Sequence, residues 1–569
     1  MTGSKTRGLL VPIGGGYTDG CMRAFARVCT AKAGSSASTI LVVPAAFAGE
    51  SVSDNDYRQA EQRTVEVGAV ARDTFRGAVQ AKLVPIFGRD DAFDTANAAP
   101  FESPDVAGIF FLGGDQDFAM QVLAESPAEK AMACAFERGV VVGGTSAGAM
   151  MQSRSMIAGY SPYGSADTDL QEGSVDVRWS DANHGGLSFG SESVIIDSHF
   201  FERSRFGRLL SVVARSADRF GNGGCVGVGI DRAGGMVTRA DVCVQDVFGR
   251  SSLAVVDFRS AGTTHGWIRP VGCLSARNIL THLVAPGDGT SYDIERRLPI
   301  REGMRMDFRR SSEPLPLVPK VSALILCGNA CADPALLGLR AFVDAAVEAR
   351  TERLVIAPVG HHSICESLDA RYASPLRRAG WTGSITEIEF VPGRRLKEAA
   401  VLLAGTQESG PAGLGDGDDV CSAVVEQLRT ASIILADGIA AATVGGRYVC
   451  RHQQELNQSA VEGVRRLPDR LLRPGIAIAP HVAIEPALDS PGGWARLYNL
   501  SAADPSSVVL GLSGSSVLVL RPTGGKVLGG RPVIALDGRS AAWGTGSAGQ
   551  LAAYNVIMHV FAPGDRIAI

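Results

Sequence analysis

The 569-residue chain contains no apolar run near the ~20 residues that a bilayer-spanning helix requires, so no membrane segment is expected. A formal net charge of −4 leaves no basic footprint for nucleic acid. Eleven cysteines, an odd number, are scattered mostly inside apolar segments (Cys134, Cys243, Cys327) and form no C-x-x-C pair. Their pattern points away from a disulfide framework or a thiolate metal centre and toward reduced, buried thiols in a cytoplasmic protein. No leader-like segment is evident, because Met1–Arg7 runs directly into a strand-like stretch. The full G-x-G-x-x-G spacing of a dinucleotide loop is also lacking. Gly14-Gly15-Gly16 reads instead as a tight turn near the rim of a site.

What is present is an ordinary soluble composition, 45% hydrophobic and 20% charged, in a chain too long for one core. Two domains, or three, are expected. The most informative segment is Val140-Val141-Val142-Gly143-Gly144-Thr145-Ser146-Ala147-Gly148-Ala149-Met150, a β-branched run that stops in G-x-S-x-G and continues into small residues. It reads as a nucleophile elbow, in which a sharp strand-to-helix turn lifts a serine hydroxyl to the carboxyl edge of a sheet. Glycines flank the serine because neighbouring elements leave no room for a Cβ. The helix start behind it directs backbone N–H groups at a developing oxyanion.

Short apolar runs alternate with Ala-rich helical stretches through Leu9–Ile13, Ile40–Val43, Leu83–Ile86, Gly108–Leu112 and Val140–Val142. This alternation predicts a parallel, doubly wound α/β sheet, with a mixed, strand-rich edge after residue 190. The polar, Pro-rich stretch around Ser311–Pro316 reads as a linker. Beyond it the chain repeats itself: Asn278-Ile279-Leu280-Thr281-His282 through Asp288 recurs as Asn555-Val556-Ile557-Met558-His559 through Asp565. Weaker echoes link Leu41–Pro44 with Leu354–Pro358, and Ala107–Asp115 with Ala431–Gly438. A tandem duplication of one α/β unit is inferred, with residues 1–303 and 321–569 joined by 304–320. The second copy shows no elbow. Gly544–Gly549 reads as a Gly/Ser loop, and His481 as a relic of His199.

His199 follows the strand-like Val194–Ile196 and is placed to take the serine's proton. Arg203, Arg205 and Arg208 cluster beside it, as a carboxylate-binding pocket would need, although a solvated helix start has the same appearance. Phe111-Leu112-Gly113-Gly114-Asp115-Gln116 brings a carboxylate and an amide to the same sheet edge. Gln116 could bind substrate there, and Asp115 could equally cap a helix.

With these segments in this order, residues 1 to about 300 resemble cyanophycinase, a peptidase family S51 serine hydrolase related to α-aspartyl dipeptidase. The family's D-Q-H-F-x-x-R-x-R-x-x-R stands here as Asp197-Ser198-His199-Phe200-Phe201-Glu202-Arg203-Ser204-Arg205-Phe206-Gly207-Arg208. The resemblance implies a flavodoxin-like or class I glutamine amidotransferase-like sheet, in two tandem copies here. It implies Ser146 as nucleophile, His199 as base, Gln116, Asp115, Asp197, Arg203, Arg205 and Arg208 as substrate-binding residues, and N–H groups at Gly114 and Ala147 as the oxyanion hole. No metal or organic cofactor is implied. The substrate class is an Asp-backbone polymer bearing Arg side chains, cut to β-Asp-Arg dipeptides. Family members resemble homodimers, which implies an intrachain pseudo-dimer here and leaves further homo-oligomerisation open.

Two positions depart from the family. Ser198 replaces Gln, and Gly227-Val228-Gly229-Ile230-Asp231-Arg232 carries Arg232 where the family places its triad glutamate. Asp231 is the expected substitute acid, with Glu202 a less favoured stand-in. Three readings follow: a cyanophycinase-like peptidase whose second half is non-catalytic, a binding protein for Asp-containing peptides, and an amidase or dipeptidase on a small Asp-linked metabolite.

Overall fold

The computed structural model describes residues 7–33, 38–47, 52–75, 79–181, 185–260, 262–306, 314–359, 368–387, 399–405, 427–428, 430–450 and 463–569. The core of the expected linker, residues 307–313, therefore lies outside the described residues. Among the described residues, no helix is long and apolar enough to cross a membrane.

The first sheet is built on five parallel strands, in the spatial order Leu10–Ile13, Val141–Thr145, Val106–Phe111, Ser38–Val43, Val79–Leu83. Successive residues alternate between two cores: Val11, Ile13, Ile40 and Val42 pack with Phe25 and Val67 of the helices Asp19–Ala33 and Asp54–Phe75. Leu10, Leu41, Val43 and Val142 pack on the opposite face with Met120, Leu123, Met132 and Phe136. Both faces are covered, so four of these strands read as continuous apolar runs, whereas the edge strand Val79–Leu83 alternates and the expected run Leu83–Ile86 meets it only at Leu83. On the other side of Leu10–Ile13, the strands from Gly234–Arg239 to Met304–Arg305 add antiparallel pairs.

A second sheet repeats this order in the second half of the chain. Ala323–Cys327 pairs with Ile433–Asp437, followed by Ala399–Gly405, Arg353–Val359 and Ser384–Glu387, all parallel. Ser516–Arg521 and Gly524–Gly529 add antiparallel strands to its other side. The echo of Leu41–Pro44 in Leu354–Pro358 falls at matching strands. The other echo is displaced by one strand, because Ile433–Asp437 occupies the place of Val141–Thr145 and not that of Val106–Phe111. Apolar β runs in a fully buried sheet resemble one another, and only pairing order separates them.

A third sheet is shared by both halves and is antiparallel except at its end pairs. At its centre the strands Cys273–Val284 and Leu551–Phe561 lie antiparallel, with Leu280 opposite Ile557, its own counterpart in the repeated motif. The pairing is isologous. Asn555 N–H donates to Nδ1 of His282 at 3.1 Å, and Asn278 N–H donates to Nδ1 of His559 at 3.3 Å. Asn278 and Asn555 both have positive φ, 58° and 61°, a region that Asn tolerates better than most residues.

Candidate active site

Ser146 stands between the strand Val141–Thr145 and the short helix Ala147–Met150 with φ 54° and ψ −112°. That conformation is strained for a residue with a Cβ, and it is held because the turn is closed on every side. A Cβ on Gly144 would lie 2.4 Å from the Gly148 carbonyl oxygen, and one on Gly148 would lie 2.6 Å from that of Phe111. The glycines of G-x-S-x-G are there for close approach, as the sequence predicts.

The strand Val194–Asp197 ends two residues before His199, whose backbone N–H donates to the Gly14 carbonyl at 2.8 Å. The imidazole lies over Gly15, where a Cβ would sit 2.5 Å from the ring. The glycine triplet is thus a wall of the site that admits the ring. His199 Nε2 lies 3.0 Å from Ser146 Oγ, and Nδ1 lies 2.8 Å from Glu202 Oε2. Burial lowers the His199 pKa below its ordinary value, against the raising effect of Glu202. The Glu202 carboxyl is desolvated, yet its hydrogen bond to His199 and the charges of His199 and Arg232 bring its pKa below the ordinary value.

Asp231 does not meet the imidazole as expected. It is buried, and its carboxylate accepts the backbone N–H of Glu202 at 3.0 Å. Burial pushes its pKa up to about 6. Arg232, half exposed, lies 3.5 Å from Glu202 Oε1. The carboxylate beside the histidine therefore comes from the histidine's own turn, closed by Arg203 N–H donating to the His199 carbonyl. The spacing of His199 and Glu202, three residues apart within one turn, was the signal available in the sequence.

The expected substrate-binding residues separate into distinct groups. Arg208 and Asp197 form a fully buried bidentate pair, with Nε at 2.6 Å from Oδ2 and Nη2 bonded to Oδ1, so both are occupied with each other. Arg205 donates to the Ser198 carbonyl at 2.7 Å and lies 3.7 Å from Asp197. Two guanidinium groups share one carboxylate here, leaving an excess positive charge beside His199. Arg203 is exposed. Asp115 caps the helix Gln116–Leu123, accepting from the N–H groups of Asp117 and Phe118. Gln116 Nε2 donates to the Ile157 and Ala158 carbonyls.

Gly113 abuts Ser146, and its N–H donates to Tyr17 Oη at 3.0 Å, a contact with no signal in the sequence. A Cβ on Gly114 would overlap the Ala46 carbonyl, which fixes glycine at that corner. Ala147 begins its short helix, so its N–H has no partner within that helix. Among the described residues there is no group of three or more His, Cys, Asp or Glu side chains placed to hold a metal ion.

The second half has an elbow after all. Gly438, between Ile433–Asp437 and the helix Ile439–Thr443, has φ 57° and ψ −129°, close to the values at Ser146. The position matching His199, two residues after the strand Val482–Glu485, is Ala487. His481 precedes that strand and is no counterpart of His199. Ser490 stands where Glu202 would be. Glu485 and Arg496 form a buried bidentate pair at the same 11-residue spacing as Asp197 and Arg208. Ser547 lies in a turn, its N–H donating to the Pro286 carbonyl, as expected of a loop, but Gly544 and Thr545 belong to the strand Ala542–Thr545 that leads into it.

No family model matches the chain. The cyanophycinase of Geminocystis herdmanii is 32% identical over 182 residues, which is 32% of this chain and 60% of that protein. The cyanophycinase of Trichormus variabilis is 29% identical over 291 residues, 50% of this chain and 86% of that protein. Among solved structures, a peptidase from an acI-B1 actinobacterium aligns with a TM-score of 0.31 and 20% identity, covering 44% of this chain and 90% of that one. A putative peptidase E protein from Listeria monocytogenes aligns with a TM-score of 0.26 and 13% identity, covering 42% and 97%. Several cyanophycinases thus match the chain at 29–32% identity, across as much as half its length.

Proposed function

We propose that the chain is a serine-type peptidase that hydrolyses cyanophycin, the Asp–Arg polymer, or a closely related Asp-containing peptide, releasing β-Asp-Arg-type dipeptides in the cytoplasm. The observation that carries this reading is the continuous relay Ser146 Oγ, His199 Nε2, His199 Nδ1, Glu202 Oε2 at 3.0 and 2.8 Å. Ser146 attacks the scissile carbonyl as Nε2 takes its proton. The N–H groups of Gly114 and Ala147 receive the oxyanion, and the imidazolium returns its proton to the leaving amine. Water then hydrolyses the acyl-enzyme by the same relay. Glu202 fixes the tautomer and stabilises the imidazolium. Asp231 positions Glu202 through its backbone N–H.

Arg205 and Arg203 supply the positive charge for a substrate carboxylate. Arg208 and Asp197 shape the pocket wall from within, since their groups are already paired. Glu202 beside His199 supports the peptidase reading over a binding protein for Asp-containing peptides. Residues 321–569 act as a non-catalytic half, because Gly438, Ala487 and Ser490 stand at the three positions of the relay. Fluorophosphonate labelling, with mass spectrometry of the products formed from cyanophycin, tests the reading. Labelling at Ser146 and release of dipeptide are expected, and Ser146→Ala should abolish both with the fold intact. A parent protein that neither labels nor cleaves would overturn the proposal.

A further inference from the structure

The loop from His199 to Arg205 must keep an imidazole in line with Ser146 through a contorted backbone. His199 has φ 49° and Ser204 φ 50°, both in the left-handed region without being glycine. Such a segment persists only when its surroundings over-determine it. Part of those surroundings belongs to the second half. Ser204 Oγ donates to the Ser490 carbonyl at 2.9 Å. Phe206, which ends the loop, stacks on Trp494 with ring centroids 4.5 Å apart and planes 15° from parallel. Arg531 reaches over to the first half, donating to the Ala166 carbonyl and pairing with Asp167 at 3.3 Å, while Asp489 holds it at 2.7 Å.

The two halves differ in a selective way. The second half has Gly438, Ala487 and Ser490 in place of a nucleophile, a base and an acid. It nevertheless has the buried pair Glu485–Arg496 at the base of this contact, and Gly492, with φ 73°, stands where Ser204 does. Phe206 and Trp494 occupy matching places, each twelve residues beyond the start of its strand, and they face each other. The relay residues differ between the halves, whereas the buried Arg–carboxylate pair, the positive φ at Ser204 and Gly492, and the aromatic rings Phe206 and Trp494 match.

We propose that the second half is a resident brace, in which Ser490 and Trp494 position the His199–Arg205 loop so that the base meets Ser146. The inference rests on the peptidase reading above. Ser490 and Trp494 are positioning residues, acting through Ser204 and Phe206.

The experiment compares full-length Ser204→Ala and Trp494→Leu with the parent on cyanophycin, with fluorophosphonate titration of active sites and melting temperatures alongside. Losing one partly buried hydrogen bond from a loop that carries the base should lower kcat about five- to tenfold for Ser204→Ala, with KM held within about twofold. Trp494→Leu should lower kcat further. In both, a loosened loop hydrates His199, so its pKa rises and the acidic limb of kcat/KM moves to higher pH. Variants that match the parent in kcat and in pH profile overturn the brace, and so does a loss of kcat that only tracks a loss of titratable sites. Either result leaves the peptidase reading intact when the parent is active. An unlabelled, inactive parent fails that reading first and the brace with it.

Discussion

At the scale of single residues, the acid beside His199 is the point where geometry departs most from the expected pattern. Glu202→Gln removes the charge that stabilises the imidazolium, and kcat should fall by about three to four orders of magnitude in steady-state assays. Asp231→Asn retains an oxygen to accept the Glu202 N–H and should cost less than about tenfold, consistent with a positioning role. Arg232→Glu should lower activity here, because it sets a second negative charge against Glu202. A gain in kcat for Arg232→Glu would assign the acid to position 232 instead.

Asp231 also gives a stability prediction. Its folded pKa of about 6 lies above the 3.8 of a free aspartate, so the folded state binds more protons over that window. Its contribution therefore falls as pH rises from about 4 to about 6, with a slope that approaches about 1.4 kcal/mol per pH unit within that window. Asp231→Asn should flatten that part of the pH dependence in chemical denaturation.

At the scale of elements, the glycines divide between folding and function. Gly144→Ala drives a Cβ into the Gly148 carbonyl and Gly148→Ala drives one into the Phe111 carbonyl of the adjacent strand, so either should destabilise by at least the ~1–3 kcal/mol of an overpacked core, read from urea midpoints. At Gly15 the neighbour is the His199 ring, a side chain that can move. Gly15 also has φ 158°, strained for a residue with a Cβ, so Gly15→Ala should lower the urea midpoint as well as kcat. The helix Phe206–Phe220 presents a third case. Arg208→Met leaves Asp197 charged in the interior without its bidentate partner, and should cost about 3–5 kcal/mol of stability. An Arg208 acting only on substrate would instead change KM and leave the denaturation curve alone.

Across the whole molecule, the shared sheet makes the two halves one object. Strand Cys273–Val284 is covered along its edge by Leu551–Phe561, so residues 1–303 alone would expose a long apolar edge. That fragment should form aggregates or a dimer through the exposed strand in size-exclusion chromatography, and a soluble monomer would argue against the shared sheet. His282 adds acid sensitivity at the same junction. Burial lowers its pKa to about 3, so below the ordinary histidine value of 6.5 the unfolded chain takes up a proton that the folded one refuses, and stability falls as pH drops from about 6.5 toward 3.

The sequence by itself determined what depends on neighbours along the chain. G-x-S-x-G after a β-branched run specified the elbow, because the close approach of Gly144 to the Gly148 carbonyl is local to that turn, while that of Gly148 to Phe111 came from the neighbouring strand. Apolar runs of strand length marked four of the five parallel strands, and the recurrence of Asn278–Asp288 as Asn555–Asp565 marked two strands that pair antiparallel. Only the tertiary structure decided what depends on which segments meet. Asp231 and Glu202 are both carboxylates near the strand end, and it is Glu202 that meets His199 Nδ1 while Asp231 accepts the Glu202 N–H. Arg208 and Asp197 read as pocket residues until the helix that carries Arg208 packs down and buries the two together. The strand matching Val141–Thr145 could not be identified from composition, because its elbow carries Gly438 in place of serine and sheet order alone marks it. Short-range sterics are written in adjacent residues, whereas the pairing of charges and the order of strands come from contacts between segments far apart in the chain.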